Sequence, residues 1–129
     1  MENQAEKVFN LGSDTLKVLL TLTAPVAGNS VKADLTEISA GNGYSAGGTA
    51  TTISSSAQTS GTYKLVITDV VFTASGGAIA NFRYAVLYDD TATNDELIGF
   101  WDYGSTVTLA SGETFTVDFD GSNGVLQVA

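Results

Sequence analysis

The chain has no cysteine and no histidine among its 129 residues. The first absence excludes disulfides and thiolate metal sites and leaves no redox compartment to read from thiol usage. The second removes the usual base of Ser–His and Cys–His nucleophile pairs, and together they remove the commonest zinc ligands. Basic residues are scarce as well: Lys7, Lys17, Lys32, Lys64 and Arg83 stand singly against 14 acidic residues, a net charge of −9. No basic stripe is available to neutralise phosphates, so nucleic acid is not expected as a ligand. The acidic surplus reads instead as a solubility and self-repulsion device. No stretch approaches the ~20 apolar residues of a membrane-spanning helix. The N-terminal MENQAEKVFNLGSD lacks a basic region followed by an apolar run, so we expect a soluble chain made without a signal peptide.

What is abundant is Thr, Ser, Gly and Val, a composition suited to strands and tight turns rather than to long helices. A chain of this length buries a single core comfortably. The fold class expected is all-β, an antiparallel β-sandwich or jelly-roll-like single domain over 13–129, with residues 1–12 as a short N-terminal arm. In Thr15–Thr23, Leu16, Val18, Leu20 and Leu22 point one way, and the only proline, Pro25, ends the strand. Asp34–Ser39 reads as a short helical turn, and Ala40–Gly48 as a glycine loop pinned in its middle by Tyr44. Thr49–Ser55 reads as a polar edge strand able to invite a second subunit. Leu65 and Ile67 fall on one parity and Val70 and Phe72 on the other, which predicts a bulge near Thr68–Val70.

The tract Phe82–Phe119 carries the clearest strands. Phe82, Tyr84, Val86 and Tyr88 share one face, and the loop Asp89–Glu96 leads to a strand over Leu97–Tyr103 and a shorter one over Thr106–Ala110. Ser111-Gly112 then turns the chain into a strand with Phe115, Val117 and Phe119 inward, and a last strand spans Val125–Val128.

Several constellations suggest chemistry, and each has a plainer reading. Asp89, Asp90, Asp95 and Glu96 offer oxygen ligands in one loop, but without the spacing of known cation loops they read as a solvated turn. Asp118, Asp120 and Asn123 resemble the opening of an EF-hand loop with neither flanking helices nor a closing Glu. Asp102 with Asp118 or Asp120 gives the residue types of a glycosidase carboxylate pair, though an outward Asp on a strand is the commoner use. Tyr88-Asp89-Asp90 matches a polymerase metal motif by letters alone. Gly41, Gly43, Gly47 and Gly48 lack the following Lys and Ser/Thr of a phosphate cradle. Phe100, Trp101 and Tyr103 suit either a sugar platform or a cross-strand aromatic cluster in the core or at an interface. Arg83, the lone arginine, suits a pairing with a neighbouring carboxylate or a subunit contact.

Taken together, the blocks Leu11–Leu20, Gly41–Gly48, Val70–Ala74, Arg83–Asp90, Leu97–Ser105 and Gly112–Asp120 resemble a family of small proteins encoded among the head genes of tailed bacteriophages. The resemblance covers nearly the whole chain from Leu11 onward, and the N-terminus is shorter than the family's helical arm. It implies a virion structural role, in first place a capsid decoration or cement protein on the outer shell. Such proteins often stand as homotrimers at local three-fold positions, bound to the major capsid protein. A tail, head-fibre or adsorption component is the alternative in the same class, and a carbohydrate-binding module the alternative in another. On this reading the chain is not an enzyme, and no cofactor or metal is expected. The candidate contact residues are Phe9, Tyr44, Arg83, Tyr88, Trp101 and Tyr103.

Overall fold

The computed structural model describes residues 12–26 and 28–119, together with the backbone of 126–128; Phe9 and the N-terminal arm lie outside the described residues. Nine strands form, all paired antiparallel, and no α-helix occurs among the described residues. In chain order they are β1 (Leu16–Thr21), β2 (Thr49–Ala50), β3 (Ile53–Thr59), β4 (Thr62–Ile67), β5 (Val70–Thr73), β6 (Ile79–Asp89), β7 (Leu97–Leu109), β8 (Thr114–Val117) and β9 (Leu126–Val128). They assemble as a four-stranded sheet β2-β1-β6-β7, a three-stranded sheet β3-β4-β9 and a β5-β8 pair. The main core joins Leu16, Val18, Leu20, Ala85 and Leu87 of the large sheet to Leu65, Ile67, Val70, Phe72 and Val117 of the others. One contiguous core between facing sheets is the sandwich that the composition predicts.

The large sheet is covered on its second face too. Leu19, Val86 and Tyr88 form a smaller buried cluster against Leu35 and Leu97. Its cover is the segment after β1, where a 3₁₀ turn at Lys32–Asp34 replaces the helical turn expected over Asp34–Ser39. That turn is set by Asp34, whose Oδ2 accepts from the Ser30 and Val31 N–H groups at 2.9 and 3.2 Å. These two bonds hold the exposed Asp34 carboxyl below the ordinary carboxylate range. The side chain closes the turn's entry rather than lying inside a helix.

Tyr44 pins the glycine loop as expected. Its hydroxyl accepts from the Leu20 N–H at 3.1 Å and donates to Glu37, whose Oε2 also takes the Gly47 N–H at 2.7 Å. At Gly48, φ is +81° and an added Cβ would overlap the Val18 carbonyl. Only glycine allows the loop to press this closely on β1.

Three local expectations are corrected. The parity change at Thr68–Val70 is not a bulge: β4 pairs β3 and β9, whereas β5 pairs β8, so the chain changes sheet there. Leu22 lies past the end of β1 and is exposed. The two strands expected over 97–103 and 106–110 are one 13-residue strand with a bulge between them. Tyr84 pairs Asp102 and Phe82 pairs Val107, so Tyr103, Gly104, Ser105 and Thr106 stand opposite Arg83 alone. The alternation of β6 breaks at the same irregularity, so Phe82 faces the main core with Ala85, away from the face of Val86 and Tyr88 where simple alternation puts it.

Candidate functional site

Strand β7 lies at the open end of its sheet, and beyond Leu97, whose N–H reaches the Ser30 carbonyl at 2.9 Å, no described strand pairs with its outer edge. Its only charged residue is Asp102. Arg83 grips that carboxylate from the next strand in a two-pronged contact, Nε to Oδ1 at 2.8 Å and Nη2 to Oδ2 at 3.1 Å. The Gly104 N–H adds a third bond to Oδ1 at 2.8 Å, closing the bulge as an Asx turn. Arg83 thereby holds Asp102 ionised, its carboxyl pulled below the ordinary range, while the guanidinium is held above its own. The expectation that the lone arginine pairs with a neighbouring carboxylate is met.

The aromatic residues of β7 are exposed, Phe100 at 48 %, Trp101 at 41 % and Tyr103 at 61 %. They do not form one platform. Phe100 pairs with Val86 in the register and meets Tyr84 edge to face at 6.3 Å, on the side of the smaller cluster. Trp101 pairs with Ala85 and meets Phe119 at 5.4 Å, on the side of the main core, and Tyr103 meets Phe115 at 5.6 Å. Alternation along the strand divides the three residues between two surfaces.

Each surface carries a cleft. On the core side, a hollow of about 210 Å³ is lined by Trp101, Tyr103, Phe115 and Phe119 and bordered by Arg83 and Asp102. On the other side, a hollow of about 270 Å³ lies between Phe100, Leu97, Ile98, Val86, Pro25 and Val26, with no charged residue in its lining. Val26 is exposed there because a turn presents it: its N–H donates to Asn29 Oδ1 at 2.8 Å, and its carbonyl accepts from the Asn29 N–H at 2.9 Å.

Two of the expected contact residues are interior. Tyr88 is fully buried and donates to the Gly47 carbonyl at 2.6 Å, with the Lys32 ammonium 5.5 Å from its ring centre. Tyr44 is buried against Phe72. Burial pushes both phenols well above the ordinary tyrosine value, so they remain neutral hydrogen-bonding groups at any physiological pH. Both side chains are covered in this chain, whereas Arg83, Trp101 and Tyr103 lie on one cleft. Sequence alone does not bring Phe115 and Phe119 to this cleft, nor Val26 to the hollow beside Phe100, because in each case the partners are distant in the chain.

The acidic loop is not simply wet. Asp89 is 0 % exposed: its Oδ1 accepts from the Thr91 and Ala92 N–H groups at 2.9 and 3.2 Å, while its Oδ2 and Glu96 Oε2 are buried without a partner. Burial first, and then the Asp14 side chain beside it, raise the Asp89 carboxyl to about 7 against the two N–H bonds. Asp90 instead pairs with Lys17 at 3.3 Å. Among the described residues, no three acidic, histidine or cysteine side chains are grouped to hold a metal ion. Asp102 and Asp118 border the same cleft, but Asp102 is committed to Arg83 as an anion and is no general acid at neutral pH. Asp120 and Asn123 lie outside the described residues. No family model, no curated protein and no solved structure matches the chain.

Proposed function

We propose that this chain is a structural protein of a bacteriophage particle, a decoration or cement protein that binds the outer surface of the major capsid shell and strengthens it. The likeness of its strand blocks to the head-gene family supplies the viral context. The structural observation in its favour is the charge-free hollow around Phe100 and Val26, beside an open, neutral strand edge on a molecule of net charge −9. A strongly acidic chain repels its own copies and acidic partners everywhere except at such a surface. Apolar contact there, with strand pairing along β7, suits attachment to a repeated protein lattice and contact within a homotrimer. Repetition over the shell gives avidity that one weak contact lacks.

The test is composition of purified particles. Stoichiometric, capsid-located copies support the reading. Absence, or a few copies confined to the tail, refutes it in favour of a tail, head-fibre or adsorption component or of a protein outside the particle. The paired substitutions Val26→Asp and Phe100→Asp are expected to lower affinity for the shell tenfold or more, at least about 1.4 kcal/mol, and with it shell occupancy at limiting protein. Occupancy equal to wild type removes the hollow from the interface.

A further inference from the structure

We propose that the core-side cleft on β7 is a binding site for a neutral saccharide, one pyranose ring seated on Trp101 and Tyr103 and oriented by the Arg83–Asp102 pair. The site is distinct from the shell-facing hollow: the alternation of β7 that puts Phe100 on one side puts Trp101 on the other. Each cleft aromatic is held by one edge-to-face contact with a more buried ring, at interplanar angles of 72° and 64°, yet Trp101 stays 41 % and Tyr103 61 % exposed. The rings are therefore fixed in place without being fully covered, which is how an apolar sugar face finds a preorganised platform at little entropic cost.

The polar border matches the other half of a sugar. Of the five N–H groups of a guanidinium, Arg83 uses two on Asp102. Asp102 receives three hydrogen bonds, leaving about one of a carboxylate's roughly four acceptor positions open. A donor and an acceptor fixed side by side complement two vicinal hydroxyls, one accepting from Arg83 and the other donating to Asp102. The volume of about 210 Å³ suits a single ring and falls short of the ~300 Å³ at which drug-sized pockets begin.

Charge selects among ligands with an apolar face. A phosphate or an acidic sugar meets Asp102, Asp118 and the chain's net −9. A quaternary ammonium would be attracted by the same charge and by the aromatic rings, but it carries no vicinal hydroxyls for the Arg83–Asp102 pair to bind. A neutral hydroxyl-rich ring uses both the rings and the pair.

The lone tryptophan makes the experiment direct, since Trp101 is the only one in the chain. Full-length protein is titrated with glucose, galactose, mannose and N-acetylglucosamine, with choline chloride and sodium phosphate as the charged arms, while emission is followed. A saturable change with at least one neutral sugar and none with choline or phosphate is expected. Tyr103→Ala and Arg83→Lys, checked for an unchanged melting curve, are each expected to weaken binding tenfold or more. Trp101→Phe, read by saturation-transfer NMR on the sugar, is expected to weaken it at least threefold. No response to any neutral sugar, a response to choline or phosphate instead, or sugar affinity unmoved by all three substitutions overturns the proposal. So does a Trp101 signal that shows the cleft closed by self-association at working concentration. Sugar binding is measured on the isolated chain and shell occupancy on particles, so either reading can fail without the other.

Discussion

The buried Asp89 carboxyl should make this protein more stable in mild acid than at neutral pH. With its Oδ1 occupied by the Thr91 and Ala92 N–H groups, its Oδ2 faces no donor, and Asp14 stands beside it. One proton resolves the conflict: an Oδ2–H removes the buried charge and lets Asp89 donate to Asp14. The folded-state value of about 7 lies above the ordinary 3.8, so between those limits the native state binds more protons than the unfolded chain. Stability from this group is complete below the lower value, falls as pH rises, and is gone above the upper one. The slope is at most about 1.4 kcal/mol per pH unit, and the full span is worth roughly 4 kcal/mol as an upper bound.

Asp34 and Asp102 act in the opposite sense, since both are held below the ordinary carboxylate range and lose their partners' bonds only when acid protonates them. Stability should therefore peak near about pH 4, where these two regimes meet. Relief of general repulsion among 14 acidic groups also favours mild acid, and the substitution Asp89→Asn separates the two effects. An asparagine keeps an acceptor for Thr91 and Ala92, offers an N–H to Asp14 and does not titrate. In urea melts, the variant should match the wild type near about pH 4 and exceed it by a few kcal/mol near about pH 8. Parallel stability curves for the two proteins across that range would refute the buried-acid account.

Two other substitutions probe the loop that covers β1. Gly48→Ala places a Cβ on the Val18 carbonyl at a φ of +81°, and should cost at least about 2 kcal/mol in a thermal melt, whereas an unchanged midpoint would mean the loop can move off the strand. Tyr44→Phe keeps the ring against Phe72 but leaves the buried Leu20 N–H without its acceptor and Glu37 Oε2 with the Gly47 N–H in place of two donors. A loss of about 1–3 kcal/mol is expected by chemical denaturation, and a loss within error would mean that water replaces the hydroxyl.

The sequence made the strands, the Tyr44 anchor and the Arg83 pairing legible because each depends on local pattern. Alternation locates Leu16, Val18 and Leu20, and positive-φ demand explains Gly41, Gly43, Gly47 and Gly48. Alternation fails where registers slip. Where four β7 residues stand opposite Arg83, the alternation of β6 also breaks and Phe82 faces the main core, and no local signal fixes how many residues a bulge absorbs. It also says nothing of which face is covered: Leu19 and Tyr88 are interior only because the segment around Lys32 and Leu35 folds back over them.

The same limit explains why the acidic loop and the aromatic tract looked alike as polar turn and aromatic cluster, yet turned out to hold opposite surprises. Asp89 sits in a stretch whose letters describe a wet turn, but the chain around Thr15 closes on it: the Asp90 N–H reaches the Thr15 carbonyl at 2.9 Å and the Thr91 hydroxyl takes the Thr15 N–H at 2.8 Å. Those contacts join residues 75 or 76 apart, beyond any periodicity argument. Phe100, Trp101 and Tyr103 sit in a stretch whose letters suit a cross-strand aromatic cluster or a binding platform equally, but β7 ends its sheet among the described residues and leaves all three exposed. Burial is a property of what arrives from elsewhere in the chain. At an edge strand that makes exposed aromatics the place where binding is to be tested first, since an apolar patch there costs solubility.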